Sequence, residues 1–224
     1  MGLFETFFNT DVMLRTLPML WRGLINTALL SVTTIVVGVT LGIIWCLLKL
    51  YAPKPLRWLA IFLIDAFRAL PILVLLVVIY YALPFVGIVF SPFASAVMAL
   101  SLVLAAFTAE CFRAGIQSLP VGQFEAARAL GLPFHVTLWK VVLPQAVRVA
   151  IPPQTSNCVA IAKDTSLASV VAMPDLLKQA TDAQALTANP SPLIAAAIIY
   201  FIILWPAVRL VSYLEERQKT ARTA

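Results

Sequence analysis

Charge is scarce in this 224-residue chain. Only 12% of its residues are Asp, Glu, Lys or Arg, while 62% are hydrophobic and the mean hydropathy is +0.96. Soluble domains carry about a quarter charged residues, so this composition nearly excludes a free-standing soluble enzyme. Acids are scarcer than bases, 10 against 16, giving a formal charge of +6. That excess is scattered singly between apolar runs, without the basic stripe and interleaved aromatics that nucleic acid would need. Histidine occurs once, at position 135, too isolated for a ligand or catalytic set and so read as a surface residue. Cys46, Cys111 and Cys158 lie far apart without a CxxC spacing, so neither a metal site nor a disulfide framework is drawn and they are read as packing residues. A phosphate loop of the form GxxxxGK[ST] is missing too. The start lacks a basic leader, since Glu5 and Asp11 precede Arg15 and Arg22, so the first span is expected to be uncleaved.

What is present is a series of long apolar runs. About 20 residues cross a bilayer as a helix, so the composition allows roughly five to six spans and no sizeable soluble domain. The uncharged runs 23–48 and 69–109 are the clearest, and Pro84, Gly87 and Ser91-Pro92 divide the second. The reading is all-α: one polytopic membrane domain over 1–224 with about five spans, near 23–48, 56–85, 93–117, 144–162 and 193–211. Pro152-Pro153 suggests that the fourth is short or broken, and Asn189-Pro190-Ser191-Pro192 forms the turn before the fifth. Between spans three and four, the mixed segment 120–143 reads as two short surface helices divided by Gly131-Leu132-Pro133, while 163–191 connects spans four and five.

An odd number of spans puts the termini on opposite sides. With the N-terminus outside, the inner side holds Lys49, Lys54, Arg57, Arg68, Arg113, Arg128, Lys140, Arg148, Arg209, Arg217, Lys219 and Arg222. Only Arg15, Arg22, Lys163 and Lys178 then lie outside. The positive-inside rule selects N-out, C-in, which places segment 120–143 in the cytoplasm. Trp21, Trp45, Trp58 and Trp205 fall near proposed span ends, as interfacial anchors would, and Trp139 follows the cytoplasmic segment.

That segment carries Gly122-Gln123-Phe124-Glu125-Ala126-Ala127-Arg128-Ala129-Leu130-Gly131. On a helix, Glu125 and Arg128 are spaced to pair, the alanines present low relief, and Gly131 can take a left-handed cap before Pro133. An amphipathic helix lying on the membrane is the plain alternative. Here the sequence resembles the membrane permease subunit of ABC importers for polar amino acids, within the type I importer fold. The resemblance rests on Glu125-Ala126-Ala127 with Gly131 four residues on and Leu143-Pro144-Gln145 beyond. It rests also on Ala109-Glu110-Cys111-Phe112-Arg113-Ala114-Gly115-Ile116-Gln117-Ser118 upstream and Lys163-Asp164-Thr165-Ser166-Leu167 downstream. Phe67-Arg68-Ala69-Leu70-Pro71 departs from the family form at Ala69-Leu70 but keeps Arg68 and Pro71.

The resemblance implies a division of labour. A periplasmic binding protein delivers an amino acid, two identical or similar permease subunits form the pathway, and a separate ABC ATPase holding ATP and Mg drives them; this chain itself carries no cofactor. It implies a bacterial-type inner membrane, and a cytoplasmic coupling helix contacting the ATPase through Gly122, Gln123, Glu125, Ala126, Ala127, Arg128 and Gly131. Membrane lipid is the other partner, and nucleic acid is not one.

Charges near membrane depth cost about 2.5–3.5 kcal/mol each at a helix centre, so they usually face protein or water. On position alone Lys163 and Asp164 either mark the membrane interface or pair locally; the resemblance favours Asn157, Lys163, Asp164, Thr165 and Ser166 as lining or shaping the substrate path, where a broken helix end could also offer NH groups to a carboxylate. Glu110 with Arg113, and Asp65 with Arg68, have the spacing of intrahelical pairs. Arg68, Pro71, Glu110 and Arg113 are assigned structural or gating roles. The competing reading is an ion-coupled secondary transporter or channel in which Asp65, Glu110 and Asp164 would be the ion sites. An intramembrane enzyme has no catalytic constellation to support it.

Overall fold

A computed structural model describes residues 6–223, with side chains to residue 217, so Glu5 and the side chains of Lys219 and Arg222 lie outside the described set. The described residues are almost entirely helical, with no strand among them. In a bilayer, a helix satisfies its own backbone hydrogen bonds, which is why a chain this apolar adopts that architecture.

Helix α1, Thr10–Tyr51, starts earlier than the apolar run indicates. The Asn9 Oδ1 accepts from the Val12 NH at 3.1 Å, and Asp11 sits in the first turn, where the helix dipole favours an acid. At 1.5 Å per residue the helix is about 63 Å long, roughly twice the hydrocarbon thickness. Its buried face, Thr16, Leu20, Gly23, Thr27, Leu30, Thr34, Gly38 and Gly42, repeats every three or four residues and is mostly small. Helix α4, Pro92–Gln117, packs on that face and is the most buried of the long apolar helices. The approach is close: a Cβ on Gly38 would meet Leu104 side-chain carbon at 2.9 Å, and one on Gly42 would meet the Ala105 carbonyl at 2.6 Å. Small residues four apart allow this contact, which the sequence reading overlooked. Ser91 caps α4 by accepting from the Ala94 NH at 3.2 Å.

Between α1 and α4 the chain is not one straight helix. Helix α2, Lys54–Ala69, ends at the extended Leu70, because a residue before proline avoids the helical region. Helix α3, Ile72–Val77, then continues through the π-helical Val78–Ala82 and a 3-10 turn, Leu83–Val86, to Gly87 at φ +81°. The two halves are bent by 105°, so the segment expected as a span at 56–85 is a helix pair broken at Pro71 and not one straight helix.

Helix α5, Val121–Ala129, is the separate short helix of the connecting segment. Its expected companion is not separate: Phe134–Val136 and the π-helical Thr137–Val142 lead directly into α6, Leu143–Asp164. The anticipated break at Pro152-Pro153 is corrected as well, since both lie inside α6. Ala146, Ala150 and Gln154 bury one face of α6 across these prolines. They hold it antiparallel to α4, with the Ala146 carbonyl 2.9 Å from a Cβ on Gly115 and Gln154 Nε2 donating to Thr108 Oγ1 at 3.0 Å.

A 3-10 stretch, Thr165–Val171, leads to α7, Leu176–Thr187. Asp175 caps α7 by accepting from the Lys178 NH at 2.8 Å, and Thr27 Oγ1 accepts from the Leu176 NH at 2.9 Å, fastening α7 to α1. Helix α8, Ser191–Thr223, returns along the bundle. Ser191 Oγ accepts from the Asn9 NH at 3.0 Å, so α8 and α1 begin at the same end. Among the described residues three helices are long and apolar enough to cross a membrane singly, α1, α4 and α8 through Arg217, and the total is four where the bent α2–α3 pair counts as one span. Helix α6 falls outside that set on hydropathy, because Gln145, Arg148, Gln154, Ser156 and Asn157 and two prolines interrupt its apolar residues.

Candidate coupling helix and translocation cleft

Helix α5 is presented at one end of the bundle. Pro120 precedes it, and the Gln123 NH donates to the Pro120 carbonyl at 3.0 Å. At its other end Gly131 adopts φ +69°; its NH donates to the Arg128 carbonyl at 2.9 Å, and the Leu132 NH reaches the Ala127 carbonyl at 3.1 Å. Those two bonds form a Schellman cap, which a glycine in the left-handed region accommodates without Cβ strain. Gly122, Gln123, Glu125, Ala126, Arg128 and Gly131 are exposed, as are Val121 and Leu130.

Two expectations change here. Ala127 is buried at 4% exposure, beneath α5 and not on its outward surface. The ion pairs among the described residues do not include Glu125 with Arg128, so both charges are left facing outward. Phe124 anchors α5 by packing against the cluster of Leu138, Val142 and Ile116. Gln145 Nε2 lies 3.4 Å from Gln123 Oε1, so Leu143-Pro144-Gln145 and the α5 motif are neighbours in space.

Toward the bundle interior, Glu110 gathers charges from three helices. Its Oε1 accepts from Lys49 Nζ at 2.6 Å, and its Oε2 accepts from Arg113 Nη2 at 2.6 Å and Nε at 3.0 Å. Arg113 also donates to Gln117. Arg68 Nη1 stands 3.9 Å from the same Oε2, and its guanidinium lies 5.8 Å from the centre of the Phe107 ring. The Glu110–Arg113 pair was legible from spacing; Lys49 as a partner was not. Asp65 does not pair with Arg68, which turns to Glu110 and Phe107 instead.

A cleft of about 330 Å³ opens among α3, α4 and α6, lined by Ile72, Val103, Leu104, Phe107, Asn157, Ala160, Ile161 and Asp164. It joins two sequence candidates, Asn157 and Asp164, and excludes three. Lys163 turns to the opposite face, beside Tyr200, Phe201 and Trp205 of α8. Thr165 is buried and donates to the Ala162 carbonyl at 2.8 Å, and Ser166 donates to the Lys163 carbonyl at 2.9 Å. Phe107 was missed because an aromatic in an apolar run carries no polar signal. Trp45, grouped with the anchors, is buried at 6% and stacks on Phe67 with ring centres 5.8 Å apart; Trp21, Trp58, Trp139 and Trp205 are exposed. Cys46 is buried, Cys111 and Cys158 are half-buried, and all are free thiols.

Apolar helices around an inward cleft, with a small capped helix turned outward at one end, suit passage and contact: this is the build of a membrane transport subunit. Comparison with known proteins gives the family. Residues 35–220 match the profile of the binding-protein-dependent transport system inner membrane component, and the chain belongs to that family of inner-membrane permease subunits. The L-cystine transport system permease protein TcyB of Bacillus subtilis (strain 168) is 37% identical over 90% of this chain and 86% of its own. The probable glutamine ABC transporter permease protein GlnM of the same organism is 32% identical over 93% of this chain and 97% of its own. A crystal structure of an amino acid ABC transporter with histidines superposes with a TM-score of 0.85 at 33% identity, covering 92% of this chain and 96% of that one.

Proposed function

We propose that this chain is one of two permease subunits that form the pathway of an ATP-driven importer for a polar amino acid. A periplasmic binding protein delivers the amino acid, and a separate ATPase subunit carrying ATP and Mg supplies the energy. The observation that carries the reading is α5: a short helix with its charges unpaired and outward, held by the Gly131 cap and Phe124, at the end of the bundle opposite α7. Such a helix fits a groove on another protein. Gly122, Gln123, Glu125, Ala126 and Arg128 form its outward surface, Ala127 and Gly131 support it, and beyond Pro133 the chain starts a new helical stretch at Phe134 that runs on as α6 into the membrane. A movement of α5 is thereby carried to Asn157 and Asp164.

In this reading the α2–α3 pair and α6 complete five crossings, with N-out, C-in orientation. The amino acid passes through the cleft among α3, α4 and α6, where Asp164 and Asn157 supply polar contacts in apolar walls. Relatives named for L-cystine, glutamine and glutamate/aspartate transport support the amino-acid class.

The test is co-expression with the cognate ATPase, purification and uptake in proteoliposomes containing the binding protein. Uptake should require ATP, and Glu125→Lys combined with Ala126→Trp should abolish both ATPase assembly and uptake. Uptake by the chain alone under an ion gradient would establish the secondary-transporter reading instead.

A further inference from the structure

We propose that α2 lies in the plane of the cytoplasmic membrane interface and that its Lys54 and Arg57 bind the phosphates of anionic phospholipids; the choice of leaflet rests on the N-out, C-in reading above. The bend at Pro71 gives the direction of α2. Helix α3 packs along α4, with Ile72 beside Val103 and Leu104 at the cleft, and Leu76 and Ile79 clustered with Ala96 and Leu100 farther on. It therefore runs with the bundle, and a turn of 105° sets α2 close to perpendicular to it.

Contacts at the two ends of α2 agree with this direction. Tyr51, three residues before Lys54, meets Phe134, and Phe67 near the far end stacks on Trp45. Trp45 and Tyr51 are six residues apart on α1, so the 16 residues of α2 climb by about 9 Å over a length of about 24 Å. The α3 arm, Ile72–Val86, adds about 22 Å, and climb and arm together match the hydrocarbon thickness of about 30 Å.

The residue pattern suits the same placement. At 100° per residue, all four charges of α2, Lys54, Arg57, Asp65 and Arg68, fall within about 80° of one another around the helix. Trp58, Leu59 and Phe62 fill the adjoining sector and are exposed at 71%, 54% and 67%, while Ala60 and Ile64 are buried on the opposite flank. Upright, α2 would carry Asp65 and Arg68 toward the bilayer centre; lifted off the membrane, it would leave three large apolar side chains in water. Lying at the boundary, it meets neither cost.

Lys54 and Arg57 stand on this ridge without an acidic partner. Both are exposed, the first turn holds no acid, and the ion pairs among the described residues include neither. Asp65 lies eight residues beyond Arg57, about 12 Å along the axis and past the Debye length of about 8 Å. Arg68 is turned to Glu110. Two neighbouring bases at headgroup depth, next to Trp58, complement a lipid phosphate whose acyl chains lie against Trp58 and Phe62. Each base near an anionic surface strengthens association about five-fold.

Photocrosslinking tests this in proteoliposomes holding the purified permease–ATPase complex and phosphatidylglycerol or phosphatidylcholine with a diazirine near the headgroup, adducts being mapped by peptide mass spectrometry. On wild-type Lys54–Ala69 the phosphatidylglycerol yield should exceed the phosphatidylcholine yield about 5-fold or more, and the excess should shrink as NaCl rises from about 0.05 to 0.5 M. Lys54→Gln with Arg57→Gln should bring the two yields within about 2-fold, whereas Arg15→Gln with Arg22→Gln, at the other end of the bundle, should leave the excess unchanged. Equal yields in the wild type, an excess indifferent to salt, or an unchanged excess in the Lys54 and Arg57 variant would overturn the proposal. So would the absence of adducts of either lipid, which would mean that protein covers α2. If that variant does not assemble, the wild-type salt series decides. The adducts report on the ridge whichever way the chain faces, and ATP-driven uptake by the same wild-type vesicles reports on the importer reading, so the two fail separately.

Discussion

Glu110 is the residue on which three helices depend. Its carboxylate is 15% exposed and neutralises Lys49 and Arg113, which are 18% and 29% exposed. Glu110→Gln leaves two half-buried cations facing each other with a neutral amide between them. Breaking a buried pair costs 3–5 kcal/mol, and partial exposure here reduces this to about 2 kcal/mol. A thermal melt of the variant in detergent should fall by several degrees, and adding Lys49→Met should recover part of the loss by removing one stranded charge. Equal melting of wild type and Glu110→Gln would show that the cluster contributes nothing.

Asp175 behaves differently because burial dominates it. Outside the membrane-spanning helices, its carboxyl is pushed up from 3.8 to about 6 by desolvation, against the hydrogen bonds from the α7 backbone. Between about pH 4 and 6 the folded chain therefore holds a proton that the unfolded chain has released. Stability falls as pH rises through that interval and is level above it. Asp175→Asn keeps an acceptor for the Lys178 NH but carries no charge. Its melting temperature should show a smaller fall between pH 4 and 6 than wild type, and parallel pH profiles would refute the assignment.

At the scale of elements, glycines separate packing from contact. A Cβ at Gly42 would meet Thr108 Cβ at 2.5 Å and the backbone carbonyl of Ala105 at 2.6 Å, and neither can swing aside. Gly42→Ala should destabilise by about 1–3 kcal/mol, the usual result of overpacking. Gly122 has nothing within 4 Å of such an atom, so Gly122→Ala should stabilise α5 by about 0.5–1 kcal/mol, as replacing a helical glycine does. Denaturation midpoints of the two variants must move in opposite directions for this account to hold.

The α1–α4 contact illustrates how legibility ran out. Gly38 and Gly42 are visible as a four-residue spacing in an apolar run, but only the position of α4 shows which face they serve. The run 23–48 was legible because hydropathy records lipid exposure, whereas the extra turns from Thr10 depend on the Asn9 cap, which hydropathy does not record. The Gly131 cap was readable because its chemistry is local. Pro152 and Pro153 misled because their effect is local only in isolation: packing of Ala150 and Gln154 against α4 carries the helix through. At the site, spacing found Glu110 with Arg113, but Lys49, 61 positions away, required the fold.

For the whole molecule, the decisive quantity is which end of the bundle faces the cytoplasm. Asn9, Ser191 and α7 share one end through the hydrogen bonds of Ser191 and Leu176. Tyr51 and Phe134 meet edge to face with ring centres 5.3 Å apart, placing the start of α2 near α5 at the other end. The basic residues concentrate at that second end, which the proposed N-out, C-in orientation puts in the cytoplasm by the positive-inside rule. Leu186 on α7 is 77% exposed and Leu130 after α5 is 78% exposed, so a cysteine at either place should be reachable. With Cys46, Cys111 and Cys158 replaced by Ala, Leu186→Cys should react with a membrane-impermeant maleimide at the periplasmic face of spheroplasts. Leu130→Cys should react only after permeabilisation. The reverse pattern would place α5 outside, beyond reach of any ATPase, and would dismantle the proposed coupling together with the orientation.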